Sequence, residues 1–402
     1  MPSAHSEKTV MKILILTDYY PPDKIGGVGE IARQLREAYR ALGHVVFVVT
    51  TGETRPGEAR EGVFRSSRSL IRGVFLNNAH VLRLIRRHGI GLVHMHQSST
   101  TLFLLARLCL TSFPYVINSL QVSYVTEARQ IRSIQVGGRR FRPRFREYFE
   151  RFVFAPAHIA LDFIGYVLSD RVTVVSQGNR DEFCHTFGRW RSVPPDIVPN
   201  GVPPTSVTSG SFCDPDLETR LRGKTVLTYV GVFRMRKRVH NLLFAMREIA
   251  AAHPEAVLLL VGGGRGYERE FRALTAELGI AEKVIFVGQV PAERVYYFLS
   301  LTDVFCLLSS YEGMPVALLE AMSQGKAVVA TDCYGMRDLL RDGHSGVLVP
   351  VDDLPATAEA LTSLVQYAHR RHSLGQAAQA YVQDRLDWRS IAQQYLDLVA
   401  GA

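Results

Sequence analysis

Two glutamates in one short segment are the residues of this sequence best suited to bind a sugar or another polyhydroxyl ligand. The segment runs S-S-Y-E-G-M-P-V-A-L-L-E, from Ser309 to Glu320, with Glu312 eight residues before its end. An apolar, strand-like stretch precedes it, a glycine turn follows Glu312, and Pro315 suits the first position of a helix, where its missing N–H is no loss. Amides at the start of that helix could hold an anionic ligand. By itself, a glutamate pair at this spacing is weak evidence.

Histidine and glycine patterns elsewhere give weaker indications. His94 and His96 lie two residues apart on an apolar stretch, so they should share one face of a strand. No third ligand for a metal can be identified there, and we expect His96 to line a ligand cleft instead. The glycines at 262–264 follow a strand, but no complete G-x-G-x-x-G precedes the first helix. This argues against an NAD-dependent dehydrogenase.

The elements that must position these residues form two series of alternating strands and helices. Residues 11–49 alternate strand, turn, amphipathic helix (30–42) and strand, which is a parallel crossover unit. The first series is predicted over 1–204 and the second, after a linker rich in proline, glycine and serine, over 205–380. The predicted strands are 91–97, 115–120, 171–177, 225–233, 256–264, 283–290, 303–310, 327–332 and 346–350; the helices of the second series are 239–252, 267–278, 292–300 and 315–323. The fold class is therefore α/β, with two Rossmann-like, doubly wound domains facing each other across a cleft, because open parallel sheets bind ligands at the carboxyl ends of their strands.

Composition limits the class of protein. The chain has 402 residues, enough for two domains, with 47% hydrophobic and 21% charged residues. Its five cysteines are scattered and contain no C-x-x-C pair, so neither a disulfide scaffold nor a cysteine-based zinc site is predicted. The N-terminal apolar run, 13–16, is too short for a signal peptide, and nowhere do eighteen apolar residues follow one another. We expect a cytoplasmic protein that does not span a membrane.

The net charge of +9 is concentrated in one segment. Residues 129–152 hold eight arginines against two glutamates, interleaved with five aromatic residues. Such a segment could bind an anionic membrane surface, nucleic acid or an anionic substrate. It could equally form a solvated helix whose aromatic side chains pack on the domain, because charge attraction by itself does not identify a partner.

The order of the motifs resembles that of a known enzyme family. The segment ending at Glu320 is followed by A-M-S-Q-G-K-A-V-V-A-T-D and D-G-H-S-G-V-L-V-P, and upstream stand P-P-x-x-x-G-G at 21–27, V-V-S-Q at 174–177, V-P-N-G-V at 198–202 and V-G-G-G at 261–264. This pattern resembles the retaining, nucleotide-sugar-dependent glycosyltransferases of family 4, which have the GT-B fold. The resemblance covers almost the whole chain and is weakest between about 120 and 170. It also implies that the last helix, within about 381–402, packs back on the first domain, which binds the acceptor.

The resemblance implies a role for each matching position. Lys237 neutralises the donor diphosphate, Glu312 contacts hydroxyls of the transferred sugar, and Glu320 accepts hydrogen bonds from the ribose. The bare backbone of the glycine pair at 26–27 lets the donor or acceptor approach closely. The donor-side residues are Gly27, Arg234, Lys237, Gly262, Val290, Glu312, Gly313, Met314, Pro315 and Glu320; the acceptor-side residues are Gly26 and His96.

Some positions depart from the family pattern. The family usually has an arginine where this chain has Val232, and Arg234 or Arg236 in the same loop could reach the phosphates instead. The family's histidine after the strand at 115–120 is replaced by Gln121, which can donate a hydrogen bond but cannot act as a base at pH 7. Gln121 and Glu312 are the catalytic candidates. Gln177 and Asp338 stand where the family has glutamates.

The predicted function is the retaining transfer of a hexosyl group from a nucleotide diphosphate sugar, expected to be a UDP-sugar, to a hydroxyl acceptor. No metal or other cofactor is expected, because fixed cations can stabilise the leaving diphosphate. Assembly of a surface glycan or a lipid-linked glycan is the expected role, with peripheral contact between 129–152 and the inner face of the cell membrane, and no nucleic-acid partner. A soluble natural-product acceptor, a nucleotide-sugar epimerase on the same scaffold and a catalytically silent binding protein remain open alternatives.

Overall fold

A computed structural model describes residues 10–22, 27–66, 78–96, 99–202, 212–264 and 266–401, with only the backbone at 99 and 100. Gly26 and the predicted domain boundary at 204/205 lie outside the described residues. Gly26 therefore stays an acceptor-side candidate from the sequence alone.

The first half of the chain is built on one parallel sheet. Its strands and those of a small hairpin are β1 (Lys12–Thr17), β2 (Val45–Thr51), β3 (Val63–Ser66), β4 (Leu92–His96), β5 (Tyr115–Leu120), β6 (Ile134–Val136), β7 (Arg139–Phe141), β8 (Arg171–Val174) and β9 (Asp196–Ile197). The sheet order is β3-β2-β1-β4-β5-β8-β9, and β6 pairs with β7 antiparallel. The helices are α1 (Gly27–Ala41), α2 (Asn78–His88), α3 (Tyr124–Gln130), α4 (Phe145–Leu168, with a π turn at Glu150–Phe154) and α5 (Gln177–Phe187), besides 3₁₀ segments at Ser99–Leu108 and Gly188–Trp190.

The second half forms another parallel sheet. Its strands are β10 (Thr225–Val232), β11 (Ala256–Gly263), β12 (Val284–Gly288), β13 (Val304–Leu307), β14 (Ala327–Thr331) and β15 (Val347–Val349), in the order β12-β11-β10-β13-β14-β15. Its helices are α6 (Pro215–Leu221), α7 (Val239–Ala252), α8 (Tyr267–Glu277), α9 (Ala292–Ser300), α10 (Val316–Ser323), α11 (Tyr334–Arg337), α12 (Leu354–Gln366) and α13 (Ala368–Arg385), followed by α14 (Trp388–Ala400). Short 3₁₀ turns lie at Met235–Lys237 and Ala281–Lys283. The two doubly wound, Rossmann-like sheets confirm the predicted fold class.

Strand order fixes where each domain can hold a ligand. In the first sheet the order reverses between β1 and β4, and in the second between β10 and β13. At such a point the connections that follow the two neighbouring strands pass to opposite faces of the sheet. This opens a crevice at the carboxyl ends of the strands. The strands here are apolar along their length, as in β14, where all five residues are buried, because helices cover both faces of the sheet.

The last helix returns to the first half of the chain. Val202 donates its N–H to the Leu386 carbonyl over 2.6 Å, so the two segments that cross between the domains run side by side. Helix α14 then packs Ile391 and Tyr395 into the core cluster of α1 and the first sheet. The Ser119 hydroxyl donates to the Tyr395 hydroxyl over 3.3 Å.

An arm of the first half, residues 131–147, packs on the second domain. Its hairpin β6–β7 buries Ile134, Val136 and Phe141 in the core cluster that contains α7 and α8. The Phe141 ring lies 4.3 Å, centroid to centroid, from that of His240. Two arginines of this basic segment, Arg139 and Arg144, pair with glutamates of α8, Glu277 and Glu270. Neither interpretation of residues 129–152 from the sequence anticipated this inter-domain arm, because periodicity does not report a contact with a distant element.

Two helix starts differ from the sequence prediction. Helix α1 begins at Gly27, three residues before the predicted start. Pro315 is the residue before α10 rather than its first residue, because its ψ of 120° is extended. The prediction that Pro315 occupies the first helical position is therefore wrong by one residue, although the proline still marks the start of the helix.

The packing of the arm predicts a difference between two neighbouring glycines. A Cβ at Gly137 (φ 55°) would lie 2.2 Å from Cε1 of Phe244, whereas a Cβ at Gly138 (φ 75°) meets no atom within 4 Å. Both alanine variants carry the left-handed strain of about 1–2 kcal/mol. We expect Gly137→Ala to lose about 1–3 kcal/mol more of the free energy of unfolding, because it overpacks the junction. Denaturant unfolding of both variants measures this difference, and equal losses would contradict the described docking of the arm.

Candidate active site

The carboxyl ends of the two sheets meet at a narrow crevice, which we call the cleft. Helix α1 begins there from the first domain and α10 from the second, and a Cβ at Gly27 would lie 3.1 Å from Cγ2 of Val316. The free N–H groups of helix N-termini attract anions. A Cβ at Gly313 would lie 1.9 Å from the carbonyl oxygen of Gln121, so only glycine allows these two segments to approach each other. The cleft is therefore lined by backbone from both domains.

Cations of the loop after β10 surround the Glu312 carboxylate. Lys237 Nζ lies 2.5 Å and Arg236 Nη1 lies 3.2 Å from Glu312 Oε1. Arg236 also donates to the Tyr311 carbonyl over 2.9 Å. The sequence prediction places Lys237 and Glu312 at one site, and the structure brings them into direct contact. With Arg234 and Glu127 included, the cluster holds three cations and two carboxylates, which leaves a net positive charge in this part of the cleft.

The pKa of Glu312 reflects this cluster. Burial would raise the pKa of its carboxyl, but the charges of Lys237 and Arg236 and the hydrogen bond from Lys237 lower it to about 2. Glu312 is therefore ionised at any physiological pH and accepts hydrogen bonds only. A fixed acceptor of this kind suits sugar hydroxyls, which are donors.

Arg238, the residue after Lys237, anchors the end of the loop that follows β10. Arg238 is fully buried in a left-handed conformation, with φ 54°. Its Nε donates to Asp352 Oδ1 over 2.8 Å and its Nη1 donates to the Met235 carbonyl over 2.8 Å. Because these two bonds hold the guanidinium of Arg238, they anchor the backbone next to Lys237.

A glutamate of the first domain also reaches this loop. Glu127, on α3, forms ion pairs with Arg234 and with Arg236, whose Nε lies 3.3 Å from Glu127 Oε1. The arginines that the sequence offered in place of the family's arginine thus already hold an anionic group. Glu127 therefore neutralises part of the positive charge that the loop directs into the cleft.

A second glutamate of the first domain holds the same loop by its backbone. Glu147 is buried, and its Oε1 accepts from the Met235 N–H over 3.1 Å while the Tyr267 hydroxyl donates to Oε2. Sequence reasoning singled out neither Glu127 nor Glu147. The only available signal was their presence as rare acidic residues among arginines, in the stretch where the family resemblance is weakest.

The two catalytic candidates lie on opposite sides of the Gly313 turn. Gln121, at the end of β5, accepts from Asn200 Nδ2 over 3.0 Å. Asn200 also donates its backbone N–H to the sulfur of Met314 over 3.1 Å. Asn200 thus connects the segment that crosses between the domains with Gln121 and with the start of α10. The structure brings Gln121, Glu312 and the predicted backbone residues Gly313, Met314 and Pro315 to one place.

Glu320 lies two turns into α10, in a very different electrostatic environment from Glu312. Burial raises the pKa of its carboxyl to about 8, and the nearby charge of Glu30 on α1 adds to the effect. Glu320 is therefore mostly protonated at neutral pH in this state of the protein. A ligand that donates hydrogen bonds to it would favour the ionised form.

The remaining candidates lie around this centre. His96 ends β4, is completely buried, and its ring stacks on His94 at 4.5 Å between centroids, so it lies beneath the surface of the cleft rather than on it. Burial lowers the pKa of His96 to about 4. Gly262 faces Gly231 on the adjacent strand, and a Cβ on Gly262 would lie 2.0 Å from the Gly231 carbonyl oxygen. Val290 is half-buried just after β12.

Metal-ligating side chains do not cluster in the described part of the chain: no three His, Cys, Asp or Glu residues there could hold an ion together. Metal independence of the reaction stays a prediction.

The pKa of Glu320 predicts a pH-dependent difference in stability. The unfolded carboxyl releases its proton near pH 4.5 and the folded one near pH 8. Between these values the native state binds more protons, so the free energy of unfolding falls as pH rises, by at most about 1.4 kcal/mol per pH unit. Glu320→Gln does not titrate, and we expect its stability relative to wild type to grow across this window in denaturant titrations. Glu30→Gln removes the nearby charge, so we expect its free energy of unfolding to fall with pH over a narrower range than that of wild type. A difference in stability between Glu320→Gln and wild type that does not change with pH would contradict the burial argument.

Comparison with known proteins places the chain in a family. Residues 218–381 match the family model of glycosyl transferases group 1, and residues 25–206 match that of glycosyltransferase family 4. The chain is 28% identical over 246 residues to the GDP-mannose-dependent alpha-(1-6)-phosphatidylinositol monomannoside mannosyltransferase of Mycolicibacterium smegmatis, covering 58% of this chain and 63% of that protein. It is 35% identical over 201 residues to the phosphatidyl-myo-inositol mannosyltransferase of Mycobacterium leprae, covering 50% and 51%. The chain thus spans about half to two thirds of the length of these relatives.

Solved structures show the same fold at lower identity. Sucrose-phosphate synthase from Thermosynechococcus elongatus superposes with a TM-score of 0.77 at 21% identity, over 98% of this chain and 100% of that one. Anabaena HepE in complex with UDP-glucose gives a TM-score of 0.76 at 18% identity with the same coverage. From the matched family models and the two facing Rossmann-like sheets, the chain belongs to the glycosyltransferases of family 4, enzymes with the GT-B fold.

Proposed function

We propose that the protein transfers a hexosyl group, with retention and without a metal ion, from a nucleotide diphosphate sugar to a hydroxyl of a membrane lipid. The observation that carries the proposal is the cation cluster at the mouth of α10: Arg234, Arg236 and Lys237 face the cleft beside Glu312. The diphosphate of a nucleotide sugar carries two negative charges and gains a third as the sugar leaves, and these cations can stabilise that charge. The second domain is accordingly the donor side and the first the acceptor side.

The proposed mechanism follows from where charge develops. When the bond between the sugar and the diphosphate breaks, negative charge grows on the phosphate oxygen, and fixed cations and helix amides lower the barrier. The acceptor oxygen bonds to the same face of the sugar, and its proton passes to the departing phosphate. Gln121, an amide, offers neither a nucleophile nor a base on the opposite side of the cleft, which favours this front-face route. Trapping of a glycosyl–enzyme adduct would overturn it.

The nucleotide base is the part of the donor that the sequence did not determine. The expected UDP-sugar has the support of the HepE complex with UDP-glucose, a fold-level likeness. GDP-mannose has the support of a curated relative named as GDP-mannose-dependent. We propose GDP-mannose as the first donor to test, because that relative is similar in sequence as well as in fold, and UDP-sugars as the second.

The acceptor is proposed from the same relatives. Both are named for transfer to phosphatidylinositol or its mannoside. A lipid acceptor requires the enzyme to work at a membrane surface, and we propose a cytoplasmic enzyme that contacts the inner face of the cell membrane peripherally. A soluble natural-product acceptor and an epimerase reaction are the competing possibilities.

The experiment that tests this function measures release of nucleotide diphosphate and the lipid product. Purified protein is incubated with GDP-mannose, UDP-glucose, UDP-galactose or UDP-N-acetylglucosamine, with and without phosphatidylinositol vesicles and in the presence of EDTA. We expect acceptor-dependent, EDTA-resistant transfer with one donor, and retained anomeric configuration by NMR. Conversion of donor without acceptor would favour an epimerase, and unchanged donor under all conditions would contradict the proposal.

A lysine variant tests the donor site directly. Lys237→Ala removes a cation that faces the diphosphate, and we expect the dissociation constant of GDP or UDP to rise about tenfold or more. Isothermal titration measures it, with Lys224→Ala, an exposed lysine of the same domain, as the matched control. Thermal unfolding verifies that both variants are folded. Equal affinity in Lys237→Ala and wild type would remove this residue from the donor site.

A further inference from the structure

A row of aromatic side chains is exposed at the start of helix α4. Phe145 is 84%, Phe149 46% and Phe152 67% exposed, and Val153 beside them is 49% exposed. At spacings of three and four residues they share one face of the helix. We call these four residues the aromatic face. Isolated exposed apolar side chains are common, but a contiguous group of this kind marks an interaction surface.

The opposite face of α4 packs on the protein. Asp162 and Gly165 are buried, and a Cβ at Gly165 would lie 2.4 Å from Nδ2 of Asn118 on β5. By length and composition α4 could cross a membrane. Its inner face is nevertheless fixed against the first sheet and includes a buried acidic residue. The helix therefore lies along the surface of the domain, and only its outer face is available to a partner.

The charges next to the aromatic face are positive. Arg142 and Arg146 are exposed at its N-terminal end, and the neighbouring acidic residue, Glu150, lies 3.7 Å from Arg146. Arg139 and Arg144 of the same basic segment are instead paired with glutamates of α8. An apolar helix face flanked by unburied arginines is complementary to the interface of a membrane that contains anionic lipids. A protein groove would match the rings but would need acidic groups for the arginines.

We propose that the aromatic face of α4 docks on an anionic membrane surface, with its phenylalanine rings among the lipid headgroups and Arg142 and Arg146 on their phosphates. This refines the broad segment 129–152 to one face of one helix. Glu147 lies between Phe145 and Phe149 in the same turn but faces inward, where it accepts a hydrogen bond from the Met235 N–H in the loop after β10. The docked helix would thus hold the cleft close to the bilayer; the benefit for a lipid acceptor rests on the proposed function, whereas the docking itself does not.

The experiment is co-sedimentation of the full-length protein with vesicles. Vesicles of phosphatidylcholine alone and of equimolar phosphatidylcholine and phosphatidylglycerol are compared at low and high salt. We expect wild type to bind the anionic vesicles. The double variant Phe149→Ser with Phe152→Ser should lose about tenfold in partitioning at both salt concentrations, because less apolar area is buried. Arg142→Ala with Arg146→Ala should lose a similar factor at low salt only.

A matched control removes exposed apolar side chains elsewhere on the first domain: Val45→Ser with Val193→Ser, at residues 43% and 46% exposed. It should bind vesicles like wild type. Circular dichroism and nucleotide affinity verify that each variant is folded, and transfer to a detergent-dispersed acceptor separates the two proposals. Loss of vesicle binding with that transfer retained supports docking; wild type that binds vesicles but transfers no sugar contradicts only the function. Three results would overturn the docking proposal. The first is wild type that does not bind anionic vesicles at low salt, and the second is a valine control that loses as much binding as the phenylalanine variant. The third is a protein that binds no vesicles but forms a dimer that dissociates in the phenylalanine variant.

Discussion

The buried carboxylate of Glu312, held between Arg236 and Lys237, is the interaction on which the arrangement of the cleft depends. A buried charge is tolerated only when it is paired, and here one anion stabilises two cations that would otherwise repel each other at short range. The pairing fixes the turn before α10 and the loop after β10 in a single arrangement. The loop follows β10 and the turn follows β13, the two strands between which the order of the second sheet reverses. The topology therefore brings the loop and the turn together, and the charges determine the distance between them.

The same loop is also tied to the other domain. Glu127 pairs with its arginines and Glu147 accepts from its backbone, while the arm at 131–147 packs its hairpin into the core of the second domain. This side of the cleft is consequently built by both halves of the chain. Any anion that approached these arginines would compete with Glu127, so the charges of the loop and the contact between the domains are linked.

The residues of the basic segment, 129–152, occupy different structural environments although they are close in sequence. Some of its arginines form ion pairs with α8, its buried aromatic Phe141 joins the core, and other aromatic residues stay on the surface. These groups contain the same residue types, so composition does not distinguish them. The division follows from the π-turned helix α4 and the hairpin before it, which direct neighbouring side chains to opposite sides.

The sequence by itself determined the two α/β domains, most strand positions and the segment from Glu312 to Glu320, because period, turn residues and motif spacing are local properties. Lys237 and Gln121 were singled out through the resemblance of their motifs to those of the family. Only the tertiary structure decided that Glu127 and Glu147 reach the loop of the other domain, that His96 lies under the cleft, and that Glu312 and Glu320 have opposite pKa shifts. Those features depend on burial and on contacts between residues 75 to 290 positions apart, and neither leaves a periodic signal in the chain.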